Sequence, residues 1–271
     1  MEAGPRTKPL FVVDRLYLII ASALLGAAAL SWAATYFLMP TMMMPGTMGL
    51  ASLVSSLALP VVATFELVWV IGMAAMMFPA MIPVVAFYNR FVAKEENNPT
   101  AIKLIGTPLF LFGYLIAYAA LGLGAYFAVF AGLSLAAALP LPAVLAIVAP
   151  SAVLVVAGLY QLTGLKVKML SNCVSPVGFF ATRLHRGLLG SIRMGLSHGT
   201  YCATCCWAYM LVMLSVAWMS LPFMAAVSGV IVLEKVVVRG SKIFTKAVGA
   251  GFFVLALLVL VFPGLLTFQM S

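Results

Sequence analysis

Residues 62–88 read VATFELVWVIGMAAMMFPAMIPVVAFY, 27 residues in which Glu66 is the sole charge. A helix at a protein–water boundary keeps one polar face, and a half-buried strand alternates apolar with polar residues. This run does neither, over more than the roughly 20 residues needed to cross a bilayer. Backbone in hydrocarbon must satisfy its own hydrogen bonds, so the run is expected to be a helix. The rest of the 271-residue chain has the same character. Hydrophobic residues make up 65%, charged residues 8%, and mean hydropathy is +1.19, whereas soluble domains carry about 25% charged residues. The expectation is an all-α, polytopic membrane helix bundle forming a single domain over residues 1–271.

Seven segments have the length and apolarity to span: Leu16–Leu38, Val62–Tyr88, Pro108–Phe130, Ala143–Leu162, Gly195–Ala217, Phe223–Val238 and Val248–Phe268. The sixth is short and ends on Glu234 and Lys235. With these seven, all fifteen basic residues fall on one side. Arg6, Lys8 and Arg15 precede the first span; Arg90, Lys94 and Lys103 follow the second. Lys166, Lys168, Arg183, Arg186 and Arg193 follow the fourth, and Lys235, Arg239, Lys242 and Lys246 follow the sixth. By the positive-inside rule the N-terminus is cytoplasmic and the C-terminus outside. The same rule accounts for the net charge of +9, so no nucleic-acid partner is expected; the lipid bilayer is. The first apolar run exceeds a signal h-region and reads as a retained span, and no Arg/Ser-rich leader precedes it, which sets a prokaryotic plasma membrane as the expected location. The loop 163–194, with Cys173, His185 and five basic residues, reads as an interfacial segment against anionic headgroups.

The fifth segment carries the chemistry. His198-Gly-Thr-Tyr-Cys202-Ala-Thr-Cys205-Cys206-Trp207 holds three of the four cysteines and one of two histidines. At 100° per residue His198, Cys202, Cys205 and Tyr209 fall within about 60° of one another, with Cys206 flanking. Thiolate and imidazole suit Cu(I) or zinc, and the 17 methionines tilt the choice to copper, because thioethers select it. Met73, Met77 and Met81 repeat every four residues with Met76 beside them, in a helix that Pro79 and Pro83 should bend. Met39, Met42, Met43, Met44 and Met48 form an outer loop that could collect copper without deprotonation. Glu66 and Glu234 lie near membrane depth. Glu66, at a span end, reads as snorkelling or simple interfacial solvation, and Glu234 reads as an acceptor for the His198 N–H or for thiol protons. Six acidic residues give little for Mg or Ca. No phosphate-binding glycine loop or Ser/His/Asp set is present, and enzymatic chemistry is not expected.

Several stretches together resemble an uncharacterised prokaryotic family of predicted metal-binding integral membrane proteins, a domain of unknown function. They are Trp69-Val-Ile-Gly-Met-Ala-Ala-Met76-Met77-Phe-Pro79, Tyr160-Gln161-Leu-Thr-Gly-Leu-Lys166, Cys173 with Ser175-Pro176, Gly195 through Trp207, and Glu234-Lys235. Met169 stands where that family's loop would carry a cysteine. The resemblance implies a shared fold and metal binding at Met76, Met77, Cys202, Cys205, Cys206 and Glu234.

The expected function is therefore a membrane protein that binds Cu(I), with zinc as the alternative ion, at Cys202, Cys205, Cys206, His198, Met76, Met77, Met81 and Glu234, for copper transport or delivery. One alternative is an accessory subunit scaffolding a larger complex, such as a copper-dependent oxidase or monooxygenase. Another is a thiol–disulfide oxidoreductase using Cys202 and Cys205. Copper-dependent enzymes or membrane-complex subunits are the protein partners these readings imply.

Overall fold

Each of the seven expected apolar segments forms a helix in the computed structural model, which describes residues 15–42, 54, 56–90, 100–139, 145–216 and 220–262. In chain order they are α1 (Arg15–Met42), α2 (Leu59–Tyr88), α3 (Thr100–Ala138), α4 (Leu145–Gln161), α5 (Gly164–Val174), α6 (Pro176–Arg183), α7 (Leu188–Val216), α8 (Leu221–Val232) and α9 (Lys242–Val261). A π-helical turn, Leu233–Val237, continues α8. Among the described residues there is no strand. Arg6, Lys8, Lys94 and the outer methionines Met43, Met44 and Met48 lie outside the described residues.

Four helical stretches are long and apolar enough to cross a membrane: Arg15–Leu38, Leu59–Tyr88, Ile105–Ala138 and Lys242–Val261. A bent pair, Val148–Gln161 with Gly164–Val174 at 68°, would make a fifth. The expected fifth and sixth spans do not reach that standard. α7 is 29 residues long and carries Arg193, Ser197, His198, Thr200 and Tyr201 in its first half. α8 has 12 residues, short of the roughly 20 that a span needs.

α2 is the axis of the bundle. About two thirds of its apolar window is buried (67%), against 17% for α1 and 22% for α3 and α9. Every residue from Gly72 to Phe78 is buried, Met73, Met76 and Met77 among them. Over that stretch the helix is enclosed all round, as a helix that is hydrophobic all round should be. Trp69 Nε1 donates to the Tyr118 carbonyl at 3.0 Å and ties α2 to α3. Glu66 does not snorkel: both its carboxylate oxygens are buried and make no hydrogen bond. Gly122 of α3 leaves the room it occupies, since a Cβ there would lie 2.8 Å from Glu66 Oε2.

The α3–α7 crossing positions the site. A Cβ on Gly113 would lie 2.1 Å from the Ile192 carbonyl oxygen, and one on Gly195 would lie 1.9 Å from that of Phe110. The two backbones meet through glycine, the small-residue contact by which membrane helices approach closely. The segment 163–194 departs from the interfacial loop expected of it. It forms α5 and α6, with Thr163 capping Lys166 N at 3.2 Å and Ser175 capping Gly178 N at 3.4 Å. Capped starts followed by the apolar residues Leu170, Cys173, Phe179 and Phe180 make amphipathic helices, and those residues are buried. His185 stays exposed in the turn between α6 and α7.

Candidate metal centre

Cys202, Cys205 and Cys206 project from α7 into the core, and α5 adds Cys173 from across the crossing; all four are buried and free. Cys205 is the hub. Its sulfur lies 3.5 Å from Cys173 Sγ and 3.5 Å from Cys206 Sγ, and it donates to the Cys202 carbonyl one turn back at 3.2 Å. Helix periodicity correctly groups the three α7 thiols. Cys173 is 32 residues away in the chain, and no local period could join it to them.

Two lysines enter this core, Lys166 and Lys235, both of which the sequence reading left in the connections between spans. Lys166 is fully buried; its Nζ donates to Glu234 Oε2 at 2.8 Å and to the Cys205 carbonyl at 2.8 Å. The ammonium also lies 4.9 Å from the Tyr209 ring centroid. Glu234 is held further by Tyr209 OH on Oε2 and Thr245 Oγ1 on Oε1, both at 3.3 Å. Glu234 is therefore the counter-ion of Lys166. It does not serve the His198 N–H as expected, because three donors from α5, α7 and α9 already converge on it.

Lys235, the next residue, takes the other route. Its Nζ donates to Cys202 Sγ at 2.8 Å. Tyr118 OH donates to the same sulfur at 3.2 Å, and Tyr114 OH lies 3.1 Å from it. The π turn lets two consecutive side chains both reach inward, the kind of local widening that recurs at functional sites. Behind it Arg239 (φ 46°) and Gly240 (φ 77°) turn the chain in the left-handed region, with Gly240 N donating to the Glu234 carbonyl at 2.8 Å. An ammonium and two phenols around one sulfur form a donor set suited to a thiolate, since a neutral thiol accepts only weakly.

His198, one turn before Cys202, is buried with Nδ1 making no hydrogen bond. Its ring sits edge-on to Phe179 at 5.0 Å and 6.2 Å from both Phe110 and Tyr114. Met73, Met76, Met77 and Met81 are buried in the same continuous core as the four cysteines. Ser228 of α8 donates to the Met76 carbonyl at 3.2 Å, fastening α8 to the methionine helix. Among the described residues no three His, Cys, Asp or Glu side chains form a preset metal cage. The thiols instead contact one another and the hydrogen-bond donors.

The sequence reading missed Lys166, Lys235, Tyr114 and Tyr118 as members of the site. One signal was available: Lys166 and Glu234 are opposite charges at the ends of otherwise apolar segments, where an unpaired charge is costly.

The PpoB2 family model, described as a copper chaperone, matches residues 66–259. The chain belongs to this family. The match begins at Glu66 and takes in every stretch on which the resemblance to a predicted metal-binding family rests, together with all four cysteines and both buried lysines. No curated protein and no solved structure matches the chain. The PpoB2 description speaks of copper and gives zinc no support.

Proposed function

We propose that this protein is a multi-pass membrane copper chaperone that takes Cu(I) as cargo on Cys202, Cys205, Cys206 and Cys173. The observation that carries the reading is the contact of the Cys173, Cys205 and Cys206 thiols from two helices inside an apolar core, with buried Cys202 one turn away, in a chain of the PpoB2 copper chaperone family. Soft thiolates favour Cu(I), which is content with few ligands, so a cluster without a preset cage of three suits a carrier that must also release. Lys235 balances the charge on Cys202 until the ion arrives. Its side chain is long enough to withdraw, and Cu(I) then supplies the positive charge. The methionines of α2 supply weaker thioether stations, and His198 supplies an imidazole with a free Nδ1. The whole path runs along α2 and ends on α7.

The seven-span arrangement with a cytoplasmic N-terminus belongs to this proposal, and the one-sided placement of all fifteen basic residues supports it. A prokaryotic plasma membrane is the setting it implies. Delivery to a copper-dependent enzyme fits the chaperone description better than a scaffold role.

The test is anaerobic purification in detergent, Cu(I) challenge and elemental analysis of wild type beside a Cys202/Cys205/Cys206→Ser triple variant. Stoichiometric copper in the wild type and its loss in the variant is expected. Equal copper in both would overturn the thiol site, and no copper in either would favour a scaffold. A mixed disulfide trapped with a partner would favour thiol–disulfide exchange.

A further inference from the structure

Glu66 is the only charged residue of α2 and takes no part in the thiol site. It lies two turns after Leu59, about 10 Å along the helix, inside a stretch long and apolar enough to cross a membrane. Its stem is half-buried, but both carboxylate oxygens are shut off from solvent and have no hydrogen-bond partner among the described residues. The side chain is turned to α3, where the point that a Gly122 Cβ would take lies 2.8 Å from Glu66 Oε2 and 2.8 Å from Trp69 Nε1. The donors that the two helices bring to this level serve carbonyls instead. Trp69 Nε1 donates to Tyr118, and Tyr126 OH, one turn along α3 from Gly122, donates to Ser56. An ionised carboxylate accepts far more strongly than a carbonyl. Leaving the indole N–H beside it on a carbonyl marks a carboxyl that does not carry its charge.

The surroundings supply no balancing cation. The sequence holds no Lys, Arg or His from 16 to 89 or from 104 to 165, which covers α1 beyond Arg15, all of α2 and α3 beyond Lys103. α8, which also packs against α2, has none either. α6 meets the far end of α2, through Phe180 on Phe87 and Tyr88, and the buried ammoniums of Lys166 and Lys235 are committed to Glu234 and Cys202. The titratable groups on the helices around Glu66 are phenols, Tyr17 and Tyr36 of α1 and Tyr114, Tyr118 and Tyr126 of α3. An isolated carboxylate among apolar atoms is driven to its neutral form. We infer that Glu66 is a proton-binding site within the apolar bundle, the proton being the cation that its neighbours do not provide. Binding is protonation of one carboxylate oxygen, with no other bond made or broken, and carboxyls so placed in membrane segments serve as proton relays. The inference does not depend on the copper reading, because no thiol takes part in it.

Infrared spectroscopy of the full-length protein in phosphatidylcholine nanodiscs reads this carboxyl directly, because a neutral acid and a carboxylate absorb apart. Wild type and Glu66→Gln are compared at neutral pH in water and in deuterium oxide. The expected wild-type spectrum has a protonated-carboxyl C=O band that shifts in deuterium oxide and is missing from Glu66→Gln. The amide is neutral and of the same shape as the acid, so the variant is expected to melt close to the wild type. A second measurement needs no variant. Dicyclohexylcarbodiimide adds to protonated carboxyls in apolar surroundings, and peptide mass spectrometry of the treated wild type is expected to show Glu66 labelled at least about tenfold more than Glu234, whose charge Lys166 holds. A protonated-carboxyl region that Glu66→Gln leaves unchanged overturns the inference. So does labelling at Glu66 no greater than at Glu234.

Discussion

Lys166 and Lys235 are two buried ammoniums that enter the same core, and they are treated in opposite ways. Lys166 is closed in: a carboxylate, a backbone carbonyl and an aromatic ring share its charge, and the carboxylate is itself bonded by Tyr209 and Thr245. Lys235 leans on a single cysteine sulfur that two tyrosines also reach. The first arrangement uses hard, fixed oxygen acceptors and joins α5, α7, α9 and the π turn. The second uses a soft, polarisable partner that a soft cation can take over. One lysine therefore belongs to the architecture and the other to the site, although both lie beside cysteines of the same helix.

The largest expected effect comes from breaking the closed pair. Lys166→Met leaves Glu234 charged and buried, and should lower unfolding stability in detergent by about 3–5 kcal/mol. Replacing Glu234 by Leu in the same chain should recover much of that loss, which a thermal melt of single and double variants would show. Next comes the crossing that carries Tyr114 and Tyr118 to Cys202. Gly195→Ala places a Cβ against the Phe110 carbonyl; backbone cannot yield cheaply, so about 1–3 kcal/mol of stability should be lost. Copper retention should fall with it, since the tyrosines shift off the sulfur.

Lys235→Met sharpens the contrast. It should leave the melting temperature far less disturbed than Lys166→Met does, while Cu(I) affinity in a competition titration falls about tenfold, the equivalent of about 1.4 kcal/mol. Equal melting losses for the two lysines would erase the distinction. The smallest effect is expected of Thr245→Val, which removes one hydrogen bond from Glu234 Oε1 and should cost about 1 kcal/mol in stability with no change in bound copper.

Much of this molecule is legible from sequence because lipid is a strict solvent. Apolar length locates all seven expected helices, and a 100° period gathers Cys202, Cys205 and Cys206 onto one face. What escapes is whatever depends on two distant segments meeting. Cys173 and Lys166 sit in a stretch whose basic residues suggest an interface, yet the caps at Thr163 and Ser175 start two amphipathic helices that fold back into the bundle. Glu234 and Lys235 are adjacent in the chain, and the sequence ties Glu234 to His198 or the thiols; a π turn sends it to a lysine and sends Lys235 to a thiol. The methionine period reads as a stripe, and that α2 is enclosed on all sides from Gly72 to Phe78 is a fact about its neighbours rather than about itself. The span count is the same kind of problem, because α8 is short on its own and is continued by a π turn whose Glu234 and Lys235 are met by other helices.

X-ray absorption at the copper edge of the Cu(I)-loaded, full-length protein tests the central claim most directly. A coordination shell dominated by sulfur, lost when Cys202, Cys205 and Cys206 are replaced by Ser, is the predicted result. A shell of nitrogen and oxygen, or a sulfur shell that survives the triple replacement, would contradict it.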